Sequence, residues 1–227
     1  MNPSIKAHGY SLPKLKNKKL FEEAFTHRSY LNEARQRVAS NERLEFLGDS
    51  ILSFAVSNYL YSKYPDFDEG TLTNLRSLMV NTKTLSNIAQ ELNMGGLLKL
   101  SKGEEESKGR ENATLLENSF EAFVGALFLD QGISSVGKFL DEVLFPKTQD
   151  FVSKKAFKDP KSLLQERVQA QRQSSPIYRV LDEGGPAHAK IFKVGVFVSG
   201  KILGEGKGKS KQTAEESAAK AALERNS

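Results

Sequence analysis

The apolar residues change their period at Asp159, and this break constrains the fold more than any other feature. Before it, large side chains recur every three or four residues, the spacing of one helix face. After it, a short helical stretch is followed by runs in which apolar residues alternate, the spacing of half-buried strands. One layer architecture does not accommodate both patterns, so the sequence predicts two domains in series.

In the first part, Lys18 to Thr26 carries Leu20, Phe21, Ala24 and Phe25 at helical spacing. Asn41 stands where an N-cap would open a long helix to about Lys63, with apolar positions at Leu44, Phe46, Leu47, Ile51, Leu52, Phe54 and Ala55. Tyr64-Pro65 ends it. A further helix is expected from Thr71 to about Leu92, a polar loop over Ser101 to Glu111, and helices over Asn112 to Asp130 and Ile133 to Phe145. Residues 8–147 form an all-α domain on this reading, and residues 148–158 a linker. In residues 159–226, Asp159-Pro160 opens a helix at its N-cap and N1 positions. Strands follow over Ile177 to Leu181, Ile191 to Val198 and Ile202 to Gly206, and Ser210 caps an alanine-rich helix. The order α-β-β-β-α describes a small α+β domain with an antiparallel sheet.

The chain contains no cysteine, which excludes disulfides, thiolate metal sites and thiol catalysis. It has no apolar run long enough to cross a membrane and no apolar leader, so a cytoplasmic protein without a membrane partner is expected. Of the net charge of +5, +4 lies from Asp159 onward, with twelve Lys+Arg against eight Asp+Glu. A basic module beside a nearly neutral, carboxylate-bearing one suits a protein that holds a polyanion. A merely soluble basic surface would give the same charge.

The carboxylates carry the chemistry. Glu42, Glu45 and Asp49 lie within roughly 60° on the helix, at about 100° per residue, and sit among large apolar residues. Like charges so placed repel, and the cluster is costly unless cations occupy it. Glu121 lies on a later helix with Asn118 three residues before it. If the two helices pack, oxygen ligands converge, and hard oxygens with few fixed protein donors suit Mg²⁺. The alternative is a set of solvated acids on helix faces.

The stretch Glu42-Arg43-Leu44-Glu45-Phe46-Leu47-Gly48-Asp49 resembles the signature of the ribonuclease III nuclease domain. Ala24 to Tyr30, Glu69 to Ser77 and Phe120 to Ala126 are similar to its other motifs, in the same order. Pro160-Lys161-Ser162, Gln165-Glu166, Gly185-Pro186-Ala187-His188 and Gly206 to Lys211 resemble a double-stranded-RNA-binding domain. The resemblance implies an all-helical nuclease domain that forms a homodimer, with one Mg²⁺-dependent centre per subunit and Mn²⁺ as a substitute. It implies hydrolysis of double-stranded RNA to 5′-phosphate ends with two-nucleotide 3′ overhangs, in processing of RNA including rRNA. By position, Glu45, Asp49 and Glu121 match metal-ligand carboxylates, with Asp49 and Glu121 catalytic, and Glu42 and Glu69 match acids of the cleavage valley. Asn118 stands where the family usually has a metal-binding aspartate. Weaker metal binding, a higher Mg²⁺ requirement, or a binding form that does not turn over would follow.

A-form RNA is recognised mainly by shape, 2′-hydroxyls and phosphates. Gln165 and Glu166 on the first helix of the second domain, and His188 in the turn after Pro186, suit minor-groove contacts. Lys209, Ser210 and Lys211 stand where the last helix begins, where free amides and the helix dipole favour phosphate. Gln212 replaces the second of two lysines that often follow the serine in the family. Gly206-Lys207-Gly208-Lys209 lacks the spacing of a nucleotide-binding loop. His27 has no neighbouring nucleophile and reads as packing or capping. A DNA-binding protein is a further reading, against which the 2′-hydroxyl-directed elements weigh.

Overall fold

A computed structural model of the chain describes residues 11–34, 38–155, 157–186 and 190–225. It divides into two units, Met1–Phe157 and Lys158–Ser227, a boundary one residue from the change in apolar period.

The first unit is built around one helix. α1 (Lys18–Ala24), α2 (Glu42–Lys63), α3 (Glu69–Met79), α4 (Thr82–Glu91) and α5 (Lys102–Glu106) precede it. The central helix is α6 (Ala113–Gln131), followed by α7 (Ile133–Val143) and α8 (Lys147–Ser153). Asn112 caps α6 by accepting hydrogen bonds from the amides of Thr114 and Leu115. Every residue from Ser119 to Leu127 is buried, as expected of a helix that is apolar all round. Phe123 meets Phe25 and Phe139 at ring-centroid separations of 6.1 and 5.5 Å, and Phe120 lies 5.8 Å from Phe139. The core is therefore wrapped around α6, with α2, α4, α7 and α1 packed against it.

Two glycines set how α2 meets α6. A Cβ on Gly48 would overlap the backbone carbonyl of Glu121, and one on Gly125 would overlap the carbonyl of Leu44. The two backbones touch, which only residues without a side chain permit.

Three local expectations differ. The stretch expected to be one helix from Thr71 to Leu92 is two. Asn81 adopts an extended conformation and accepts a hydrogen bond from the amide of Thr84, starting α4 afresh. Part of the expected loop after Ser101 is the short helix α5, because the Ser101 hydroxyl caps it through the amide of Glu104. Part of the expected linker is α8, anchored by the buried Thr148, whose hydroxyl lies 3.3 Å from the Met79 sulfur. On α2, Leu44, Leu52 and Ala55 are buried as expected, but Phe46, Phe54 and Tyr61 are 79%, 59% and 76% exposed. Their spacing places all three on one side of the helix.

The second unit has the predicted order: α9 (Pro160–Ala170), β1 (Ile177–Gly184), β2 (Ile191–Val198), β3 (Lys201–Gly208) and α10 (Lys211–Arg225). The strands form an antiparallel sheet in the order β1-β2-β3. Asp159 caps α9 through the amide of Ser162, with Pro160 in the first turn. Val194, Val196 and Val198 pack with Leu164, Val168 and the alanines of α10 into a separate core. Gly204, Gly206 and Gly208 recur on the face of β3 that meets α10, where a Cβ on each would strike helix backbone at Ala214, Ala218 or Ala222. The glycine-rich run is thus a strand pressed against a helix.

Candidate active site

The contact of Gly48 with Glu121 and of Gly125 with Leu44 brings the acids of α2 and α6 together. Glu45 and Asp49 each follow a contact residue on α2, and Glu121 is itself a contact residue on α6. Glu121 is only 9% exposed, and its side chain has no hydrogen-bond or ion-pair partner among the described residues. Burial pushes its carboxyl up to about 8, and the charges of Asp49, Glu117 and Glu45 add to the effect. Glu45 is raised for the same reasons, first by burial and then by Glu42 and Glu117, with Arg28 opposing.

Such an arrangement is unfavourable in isolation. A buried carboxylate among like charges either keeps its proton or requires a cation. Among the described residues, no group of three or more His, Asp or Glu side chains is arranged to hold a metal ion. The donor chemistry nonetheless suits a hard divalent ion, since Mg²⁺ takes carboxylate oxygens, usually one or two, and keeps several waters.

The other predicted residues are placed as follows. Asn118 lies on α6 one turn before Glu121 and is partly buried. Glu42 is at the first turn of α2, accepts a hydrogen bond from the Ser40 hydroxyl at 2.9 Å, and lies 3.6 Å from Arg28. Glu69 stands apart from the cluster, at the start of α3, where its carboxylate accepts from the Thr73 hydroxyl. It lines an open groove of about 690 Å³ that Phe54 and Tyr61 also line. His27 is a cap, its Nδ1 accepting from the amide of Ser29 at 3.3 Å, as its isolation in sequence suggested.

One acid in the cluster escaped the sequence reading. Glu117 is partly buried, and its carboxyl is raised first by burial and also by Asp49. Its signal was available: it precedes Glu121 by four residues, one turn along the same helix face.

In the second unit, Gln165 donates to the Ser175 hydroxyl at 3.1 Å, and Lys158 holds Glu166 at 2.7 Å. The Ser210 hydroxyl accepts from the amide of Thr213, capping α10. Lys209 and Lys211 beside it are exposed and in no ion pair among the described residues. His188 lies outside the described residues.

Comparison with known proteins gives the class of this two-domain chain. Residues 17–148 match the family model described as Ribonuclease-III-like, and residues 160–226 match the double-stranded RNA binding motif. The chain is 46% identical over 213 residues to Ribonuclease 3 of Streptococcus gordonii, spanning 92% of this chain and 90% of that protein. It is 47% identical over 211 residues to Ribonuclease 3 of Latilactobacillus sakei, with the same shares. The solved nuclease domain of ribonuclease III from Campylobacter jejuni, studied for flexibility in the region involved in dimer formation, superposes with a TM-score of 0.54 at 35% identity. That match covers 59% of this chain and 92% of that one. The chain belongs to the ribonuclease III family and is an endoribonuclease with a double-stranded-RNA-binding domain. Among the described residues, no helix is long and apolar enough to cross a membrane.

Proposed function

We propose that this chain hydrolyses double-stranded RNA with Mg²⁺, as a homodimer, leaving 5′-phosphate ends and two-nucleotide 3′ overhangs in RNA processing, rRNA included. The observation that carries the reading is Glu121, nine-tenths buried and without a hydrogen-bond or ion-pair partner among the described residues, with the charges of Asp49 and Glu45 acting on it. A bound divalent ion supplies activation of the attacking water at neutral pH and stabilisation of the departing 3′-oxygen. Glu45, Asp49 and Glu121, with the uncharged oxygen of Asn118, would hold such an ion directly or through its waters. The rigid helix contact fixes these carboxylates before RNA arrives, so little reorganisation is needed in the transition state.

Pairing of two copies is supported by the exposed aromatics of α2. An exposed patch of large apolar side chains marks an interaction surface, and the Campylobacter jejuni relative is described as dimer-forming in its nuclease domain. The groove holding Glu69 is lined by two of those aromatics, so on this reading Glu69 stands at the seam between copies and Glu42 at the margin of each cluster. A cytoplasmic location fits the RNA substrate.

Asn118 favours a second reading, a form that binds duplex RNA but turns over poorly. Cleavage of a plain RNA duplex across a Mg²⁺ and Mn²⁺ series, beside Asn118→Asp, separates the two. The enzyme reading expects cleavage by both proteins, with Asn118→Asp needing less Mg²⁺. Cleavage by the Asp form alone makes the native chain a binding form, and cleavage by neither at any metal concentration refutes the proposal.

Lys209, Ser210 and Lys211 hold phosphate at the start of α10, while Gln165, Glu166 and His188 serve the minor groove. Replacing Lys209 and Lys211 together by alanine is expected to weaken duplex binding about evenly across sequences. It should also lower the slope of log affinity against log salt by about 2, near 0.9 for each phosphate no longer neutralised. Titrations at several salt concentrations check this; an unchanged slope removes these lysines from the interface.

A further inference from the structure

We propose that Lys14, Lys16, Lys18 and Lys19 form a basic ridge on the nuclease unit that grips the phosphate backbone of the RNA substrate, in addition to the contacts of the second unit. The inference uses the chain's membership of a family of RNA nucleases and needs no metal ligand.

Four of the six residues from Lys14 to Lys19 are lysines, and all four are exposed. None of them forms an ion pair among the described residues. They carry +4 in a part of the chain whose net charge before Asp159 is +1, so the rest of that part is −3. Positive charge is thus gathered into one segment of a unit that is otherwise acidic.

The segment is firmly anchored. Leu15 is 3% exposed and belongs to the core, and Leu12 packs against it. Asp130, near the end of α6, accepts from the amides of Lys16 and Asn17 at 2.6 and 3.0 Å. The Gln131 side-chain amide donates to the carbonyl of Lys14 at 2.9 Å. Asp130 attracts Lys16, but both of its oxygens are engaged by those amides. Glu22 of α1 is turned to Lys99, 3.5 Å away. The backbone is therefore fixed while the ammonium groups stand in solvent. Lys18 and Lys19 open α1, where positive charge opposes the helix dipole, and like charges this close repel one another. Neither the helix nor the core gains from these lysines, whereas a polyanion would relieve their repulsion.

The acidic centre favours RNA as that polyanion. Clustered carboxylates repel a phosphodiester backbone, so attraction has to be supplied beside them. Asp130 follows Glu121 by nine residues on α6, about 13 Å along the axis, a separation that one duplex spans. Lysine is a point charge on a flexible stem and suits phosphate rather than base edges. The grip is accordingly independent of RNA sequence.

The test uses the full chain without divalent metal, so that RNA is bound and not cut. The probe is a plain RNA duplex longer than the ~16 base pairs that one double-stranded-RNA-binding domain spans. Amine acetylation of the wild-type protein, read by mass spectrometry, is expected to fall severalfold at Lys14, Lys16, Lys18 and Lys19 when the duplex is added. Affinity is then measured at several salt concentrations for the variant Lys14→Gln/Lys16→Gln/Lys18→Gln/Lys19→Gln and for the matching set of four arginine substitutions. The glutamine variant should lower the slope of log affinity against log salt by about 2 to 4, near 0.9 for each phosphate released. The arginine variant should keep the wild-type slope. Unchanged acetylation of the four lysines while Lys209 and Lys211 are protected overturns the proposal and leaves the second unit's contacts standing, the result expected if the ridge served an acidic protein instead. Absence of protection at all six overturns both assignments. A wild-type slope in the glutamine variant also overturns the proposal; if that variant melts at a lower temperature, the protection pattern of the wild-type protein decides.

Discussion

Gly48→Ala is expected to destabilise the nuclease unit by about 3 kcal/mol or more, beyond the usual cost of overpacking a core. The added methyl would occupy the position of the Glu121 carbonyl. Backbone cannot rotate away as a flexible side chain would, so α2 and α6 must separate. In a domain of this size the melting temperature should fall by roughly 6–12 °C. The same displacement moves Glu45 and Asp49 away from Glu121, so metal-dependent cleavage should fall further than the loss of folded protein accounts for. Gly137→Ala is the matched control. Gly137 lies inside α7 with open space where its Cβ would be, and alanine there should stabilise the helix by up to about 1 kcal/mol. Thermal melts and cleavage assays on the two variants decide the matter. Equal melting temperatures would mean that the glycine contact does not set the separation of the helices.

That contact also marks where the sequence stopped being informative. Asp159-Pro160, the strand alternation and the alanine-rich last helix were legible because capping and period are local properties. The acids of α2 were legible as a cluster for the same reason, since helix geometry alone places them on one side. What could not be read was which partner each face would meet. Phe46 and Phe54 have the spacing of core residues, but whether such a face is covered depends on neighbours that lie far away in sequence. Gly48, Gly125 and the alternate glycines of β3 are inconspicuous until another backbone is laid against them. The break at Asn81 was missed because the apolar period continues through it; a side-chain cap, not a change of pattern, divides α3 from α4.

Glu121→Gln should lower cleavage about a thousandfold and, without metal, make the protein more stable at neutral and alkaline pH. The carboxyl of Glu121 is raised to about 8, first by burial and then by Asp49, Glu117 and Glu45. Its ordinary value of 4.5 applies in the unfolded chain. Between those values the native state holds a proton that the unfolded state has released. Stability therefore declines as pH rises through this window, by at most about 1.4 kcal/mol per pH unit for one group. The contribution is complete below the unfolded value and lost above the folded one. Glutamine stays neutral throughout, so the variant should lack this part of the decline, and the gap between the two melting curves should widen from about pH 5 to pH 8. Mg²⁺ should act oppositely. Binding requires the ionised carboxylate, so metal-dependent stabilisation of the native protein should grow with pH up to about 8 and then level off, with proton release on binding below that point. Glu121→Gln should lose both this stabilisation and its pH dependence, with a fall in cleavage on the order of a thousandfold, the scale of removing one transition-state stabilising group. Duplex RNA binding through the second domain should persist. A variant that still cleaves, or whose metal-free stability follows the wild-type pH curve, would show that Glu121 is buried for packing alone.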